Sequence, residues 1–162
     1  MKAYEIVACL NQLFSEFDKL AEDVGIEKIK TIGDNYMAVA GVPTPRSNHA
    51  RLAAKFGLDM VAATGRLRSR LPAPFTIRVG LHSGPVMAGV IGTRKFAYDV
   101  WGDTVNISAR LEAASQPNPR ARVRGDGERI GRRLQFRWPA QNRQQGRARA
   151  RGVFCRSSPL RP

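Results

Sequence analysis

Apolar residues Ile6, Leu10, Leu13, Phe17 and Leu20 recur every three or four positions, with Asp18, Glu22 and Asp23 off that stripe. The spacing predicts an amphipathic helix over roughly 4–23, closed by Gly25. Glu27–Ile32 reads as a short strand, Gly33-Asp34 as a tight turn and Tyr36–Val42 as the return strand of a β-hairpin. Pro43, Pro45 and Ser47 interrupt the pattern. A second helix is expected over 50–70, with Leu52, Phe56, Met60, Val61 and Leu67 inward and Pro72 and Pro74 ending it. Phe75–His82 and Val86–Ile91 read as strands around a Ser83-Gly84-Pro85 turn, and Phe96–Val100 as a further short strand. Thr104–Ala114 reads as a helix with Asp103 as its cap.

This order of helix, two strands, helix, two strands, helix predicts an α+β fold with an antiparallel sheet. A ferredoxin-like core with helices on one face requires one more strand before the first helix. That strand is expected upstream of Met1, which leaves the sheet incomplete.

Composition narrows the classes. At 162 residues and 43% hydrophobic, the chain can form one core. No apolar run is long enough to cross a membrane as a helix, and no cleavage-site pattern follows the first residues. Cys9 and Cys155 form neither a disulfide framework nor a metal set, so a cytoplasmic location is expected. The net charge of +14 is unevenly spread. Residues 1–116 hold 14 Lys+Arg against 11 Asp+Glu, whereas residues 117–162 hold 13 Arg, no Lys and 2 acids.

Three motifs carry chemistry: I-K-T-I-G-D around Lys30 and Asp34, G-L-H-S-G-P-V from Gly80, and Y-D-V-W-G-D-T-V-N-I-S-A-R-L-E from Tyr98 to Glu112. Taken singly, their residues are ordinary. Lys30 and Asp34 suit a solvated hairpin, Asn106 and Arg110 a polar helix face, His82 a structural sheet position, and Trp101 packing. His49 stands at a loop–helix junction with no partner at metal-ligand spacing. In order and at these distances, the three motifs resemble the catalytic core of class III nucleotidyl cyclases, the adenylate cyclase branch in particular, over roughly residues 5–116.

The resemblance implies ATP as substrate and a homodimer, or a heterodimer with another cyclase domain, as the working unit. It implies Lys30 and Asp99 as adenine-binding residues. A lysine donates to a ring nitrogen and a carboxylate accepts from the exocyclic amine, a polarity that guanine reverses. It implies Asp34 as a metal ligand for Mg²⁺ or Mn²⁺ in a two-metal site. Asn106 and Arg110, neighbours at i and i+4, become the catalytic pair. The asparagine orients the ribose and the arginine stabilises charge on the transferring phosphate.

Two departures set expectations against full activity. The strand that carries the family's other metal-binding acid has no counterpart here. After Ser115 the expected strands and a triphosphate-binding lysine give way to an Arg-rich tail. The division is therefore 1–116, a partial catalytic domain, and 117–162, a disordered or out-of-frame tail. Read one base forward, the codons permitted for Phe136–Gly146 allow F-A-G-P-R-K-I-D-S-K-G, which resembles the family's last strand and Lys-Gly turn. Resequencing the DNA across the codons for Ser115–Arg124 tests this, since an intact frame there rejects it. Three functions follow from the whole: a weakly active adenylate cyclase, a non-catalytic remnant or dimer partner, and a non-specific nucleic-acid binder through the basic tail. The last is disfavoured by a tail with only Phe136, Trp138 and Phe154 for base stacking.

Overall fold

The computed structural model describes residues 2–68, 75–115, 136–137 and 151–160. Helix α1 (Ala3–Val24) buries Cys9, Leu13, Phe17 and Ala21 along one stripe. The Glu5 carboxylate accepts the Lys2 N–H at its start. Gly25, at φ 73°, closes it, and the Ile26 N–H bonds back to the Ala21 carbonyl, a left-handed cap that favours glycine. Strands β1 (Glu27–Ile32) and β2 (Asn35–Ala40) form the expected hairpin. Helix α2 (His49–Leu67) follows, burying Phe56, Met60 and small residues such as Ala53 and Ala63. The prolines expected to end it lie outside the described residues.

Strand β3 (Thr76–Pro85) runs straight through Ser83 and Gly84, so the expected turn there is replaced by continuous strand. Pairing to a neighbouring strand along this whole length holds it extended. Strands β4 (Met87–Ile91) and β5 (Ala97–Trp101) pair with each other as a separate two-stranded sheet. Helix α3 (Asp103–Ala114) starts at Asp103, with Gly102 as its N-cap and no capping side chain. The expectation that Asp103 caps this helix is therefore corrected. Its carboxylate sits inside the first turn, where it still meets the positive end of the helix dipole.

Strands β6 (Phe136–Arg137) and β7 (Arg151–Leu160) complete a sheet of order β1-β2-β7-β3-β6. β7 lies antiparallel between β2 and β3, from Tyr36↔Ser157 to Ala40↔Val153 on one side and from Thr76↔Leu160 to Pro85↔Arg151 on the other. The strand between β2 and β3 is thus supplied by residues 151–160. Of residues 117–162, only these two strands are among the described residues, and most of the segment considered for a frame change lies outside them.

The α+β class stands, with antiparallel pairing throughout the described sheets except at the parallel β3–β6 edge. The expectation of helices on one face is corrected: α1 and α2 cover one face, and α3 lies on the other. Alternation along the strands divides the apolar side chains between two faces. Tyr36, Ala38 and Ala40 of β2 and Ile77, Val79 and Leu81 of β3 join Leu13, Phe17, Phe56 and Met60 in the core under α1 and α2. Met37 and Val39 face the other way and pack with Val42 and Val100. Helix α3 crosses that second face over β3, where Gly80 has no side chain. A Cβ there would run into the α3 backbone at Ser108 and Glu112.

Candidate active site

Lys28 and Lys30 are two residues apart, and in a regular strand they would share a face. They do not. The ladder slips between Lys28↔Ala38 and Lys30↔Met37, so that Ile29 is an extra, bulged residue. Lys28 turns to the helix side, where it bonds Asp18 at 2.7 Å and lies 5.2 Å from the centre of the Tyr36 ring. The Tyr36 hydroxyl donates to the same Asp18 carboxylate. Lys30 turns to the opposite face and meets Asp99 of β5 at 2.5 Å. Bulges commonly re-aim a side chain in this way.

Lys30 and Asp99, 69 positions apart in sequence, are thereby one polar unit. The Asp99 carboxylate also accepts the Val100 N–H at 2.8 Å. Its side chain is 18% exposed and that of Lys30 is 42% exposed. The donor and acceptor expected to read a purine edge are therefore adjacent and reachable from solvent. Next to Asp99, Tyr98 turns into the cluster around Met37 and Val100. Burial first, and the charge of Glu27 second, hold its phenol above the ordinary 10.0.

Asn106 and Arg110 are both exposed on α3. The helix is held on its other side by Thr104, whose hydroxyl donates to the Pro85 carbonyl at 2.7 Å, and by Glu112, which meets the Arg78 guanidinium at 2.9 Å. Sequence reasoning missed these contacts, although the four-residue spacing of Thr104, Ser108 and Glu112 marks a polar stripe. His49, at the start of α2, receives or donates a hydrogen bond at Ser83 Oγ (3.1 Å) and contacts the Arg46 carbonyl (2.8 Å). It ties α2 to β3 structurally.

Asp34 lies in the β1–β2 turn, partly exposed, next to Gly33 at φ 61°. Among the described residues, no three His, Cys, Asp or Glu side chains gather as a cation site. A hard divalent ion takes six or more oxygen ligands, mostly carboxylate, carbonyl and water. One carboxylate does not amount to a two-metal site, so the described residues do not fit the pair of ions that the resemblance implies. The β4–β5 hairpin, finally, leaves Met87, Val90, Ile91 and Phe96 between 60% and 77% exposed. No described helix is long and apolar enough to cross a membrane.

The family model for the adenylate and guanylate cyclase catalytic domain matches residues 1–153. An adenylate cyclase of Mycobacterium tuberculosis (strain ATCC 25618 / H37Rv) is 49% identical over 109 residues, covering 67% of this chain and 25% of that protein. The human guanylate cyclase soluble subunit beta-2 is 42% identical over 115 residues, 70% of this chain and 19% of that protein. The chain thus spans a quarter or less of these relatives. Among solved structures, the guanylate cyclase domain of RhGC from Catenaria anguillulae, in complex with GTP, superposes with a TM-score of 0.67 at 36% identity, over 72% of this chain and 64% of that one. The adenylyl cyclase CyaB from P. aeruginosa gives 0.68 at 28% identity, over 72% and 64%. With a family match across most of its length and a fold that superposes on both purine branches, this chain belongs to the adenylate and guanylate cyclase catalytic-domain family.

Proposed function

We propose that this domain binds ATP and takes part in its conversion to cyclic AMP and pyrophosphate, as half of a dimer. The Lys30–Asp99 pair carries the reading. Its ammonium donates to an acceptor ring nitrogen and its carboxylate accepts from an exocyclic amine, which matches adenine and opposes guanine. Chemically, the 3′-oxygen attacks the α-phosphorus. The O3′–Pα bond forms, the bond from Pα to the bridging oxygen breaks, pyrophosphate leaves and the hydroxyl proton is lost to solvent. Asn106 orients the ribose by hydrogen bonding, and Arg110 offsets the charge on the transferring phosphate. No step is assigned to a metal held by this chain, because among the described residues no carboxylates gather with Asp34 as a cation site. One related domain, the guanylyl cyclase domain of RhoGC from Blastocladiella emersonii, has a dimeric, non-canonical crystal structure beside monomeric ones, so pairing is open to such domains. The bare apolar β4–β5 hairpin, which a second copy would cover, supports pairing here.

A second reading follows from this misfit with a two-metal site. The chain then serves a fuller cyclase domain as a partner, lending Asn106 and Arg110 from the outer side of α3. Cyclic AMP formation from ATP by the purified chain, at high protein concentration with Mn²⁺, tests the first reading. Turnover abolished by Arg110→Ala supports it. Silence from folded protein, with turnover restored on mixing with a cyclase domain stripped of its own Asn/Arg pair, supports the second. Silence in both assays rejects both.

A further inference from the structure

The underside of α3 is unusual for a helix packed on a sheet. Its inward positions are Thr104, Ser108 and Glu112, which are 3%, 2% and 4% exposed. An amphipathic helix ordinarily buries an apolar stripe there. Instead the Thr104 hydroxyl donates to the Pro85 carbonyl, Ser108 to the Val105 carbonyl, and Glu112 pairs with Arg78 at 2.9 Å. Arg78 reaches further, to the Ala113 carbonyl at 3.4 Å. Gly80 and Gly84 bring the β3 backbone under the helix. A Cβ on either would strike α3, at its backbone from Gly80 and at the Thr104 hydroxyl from Gly84.

Apolar packing is non-directional and lets a helix roll by some degrees, whereas hydrogen bonds lose strength steeply with angle. The Thr104 bond to the Pro85 carbonyl is the directional tie that fixes rotation about the helix axis. The Arg78–Glu112 ion pair, whose facing Nε and Oε1 are close but not aligned as a hydrogen bond, adds a charge tether near the other end of the helix. A buried ion pair adds little to stability over apolar residues of similar size, so stability alone gives no reason to retain one. Asn106 and Arg110 lie about 180° round the helix from the seat at about 100° per residue. Any roll of the seat displaces their outward-pointing tips.

We infer that Thr104 and the Arg78–Glu112 pair are positioning residues for the cyclising step. They set the angle at which Asn106 and Arg110 are presented to ribose and phosphate. The inference rests on the cyclase reading above.

The test compares the full chain with R78M/E112L, Glu112→Gln and Thr104→Val. It measures thermal melting, affinity for a non-hydrolysable ATP analogue, and cyclic AMP formation against ATP concentration with Mn²⁺. If the chain alone is silent, turnover is read in the mixture with the domain lacking its own Asn/Arg pair. R78M/E112L is expected to melt within a few degrees of the parent and to keep KM within about threefold. Its kcat should fall by up to about 100-fold, the loss that a misplacement of about 1 Å can bring. Glu112→Gln, which keeps an oxygen acceptor for Arg78, is expected to retain most of kcat. Thr104→Val, nearly isosteric, lowers kcat about tenfold and keeps the test decisive should R78M/E112L fail to fold. Folded R78M/E112L or Thr104→Val with parental kcat overturns the inference and leaves the cyclase reading intact. A chain that neither binds the analogue nor supports turnover in either assay overturns the reading, and the inference with it.

Discussion

Replacing Asp99 with alanine separates what the Lys30–Asp99 pair does for the fold from what it does for the base. For the fold the effect is small. The contact is short, but Lys30 is 42% exposed, so solvent screens it and the pair contributes about 0–1 kcal/mol. Loss of the Val100 N–H bond adds about 1 kcal/mol. Together these lower the melting temperature by about 2–8 °C in a chain of this size. For the base the effect is larger. The carboxylate's bond to an exocyclic amine is charge-assisted, worth about 1.5–3 kcal/mol, and its loss lowers ATP affinity about 10–100-fold. GTP, whose keto oxygen the carboxylate repels, should gain or stay level, so the ATP-over-GTP ratio collapses. Competition of unlabelled ATP and GTP against a fluorescent ATP analogue measures the ratio. Lys30→Ala and the double variant close a cycle that isolates the pair. A ratio unchanged by Asp99→Ala in folded protein refutes the reasoning, because the pair would then be a surface ion pair and nothing more.

Gly80→Ala should cost about 3 kcal/mol or more, since its methyl meets the α3 backbone, which cannot step aside like a side chain. Chemical denaturation reads this directly. Phe96→Asp with Val90→Lys should leave the melting temperature within about 2 °C, because both side chains are exposed. The same pair of changes should abolish dimers in light scattering if the hairpin is the contact. Tyr98 titrates above 10.0 when folded, from burial and then from Glu27. Its contribution is therefore intact below pH 10 and lost as pH rises through the folded value. Tyr98→Phe should flatten that alkaline loss. It should not lower stability near neutrality, since the hydroxyl has no hydrogen-bond partner among the described residues.

The helices were legible because their apolar residues keep a period of three to four, as Leu13, Phe17, Phe56 and Met60 do. The first hairpin was legible because Gly33-Asp34 sits between two β-type runs. Lys30 and Asp99 were legible only through motif resemblance. Nothing in the local pattern says that Lys30 rather than Lys28 faces β5. A bulge changes face without changing composition, so the deciding residue, Ile29, is silent in sequence. Cys9 and Ala21 were passed over in α1 because small side chains carry a weak apolar signal, although close packing favours them. The β3–β4 connection was misread because Ser-Gly-Pro is common turn chemistry, and only a neighbouring strand shows that it stays extended. β7 was the least legible element. Arg151, Gly152, Ser157, Ser158 and Pro159 are poor strand formers, and Pro159 sits opposite Ile77 in the ladder with no N–H to offer.

The central place of β7 also has a consequence in time. Among the described strands, the hairpin β1–β2 and the long strand β3 share no direct pairing, and β7 joins them. Ribosomes add about 5–20 residues per second, so roughly 3–13 s separate synthesis of Pro85 from that of Arg151. Throughout that interval β2 and β3 lack the neighbour they share in the folded sheet. The buried residues of β2 are exposed to whatever strand or chaperone is nearest. Slow translation between these points should lengthen the exposure and lower soluble yield, while faster translation should raise it. The pace of the ribosome thereby becomes a determinant of how much folded domain a cell obtains.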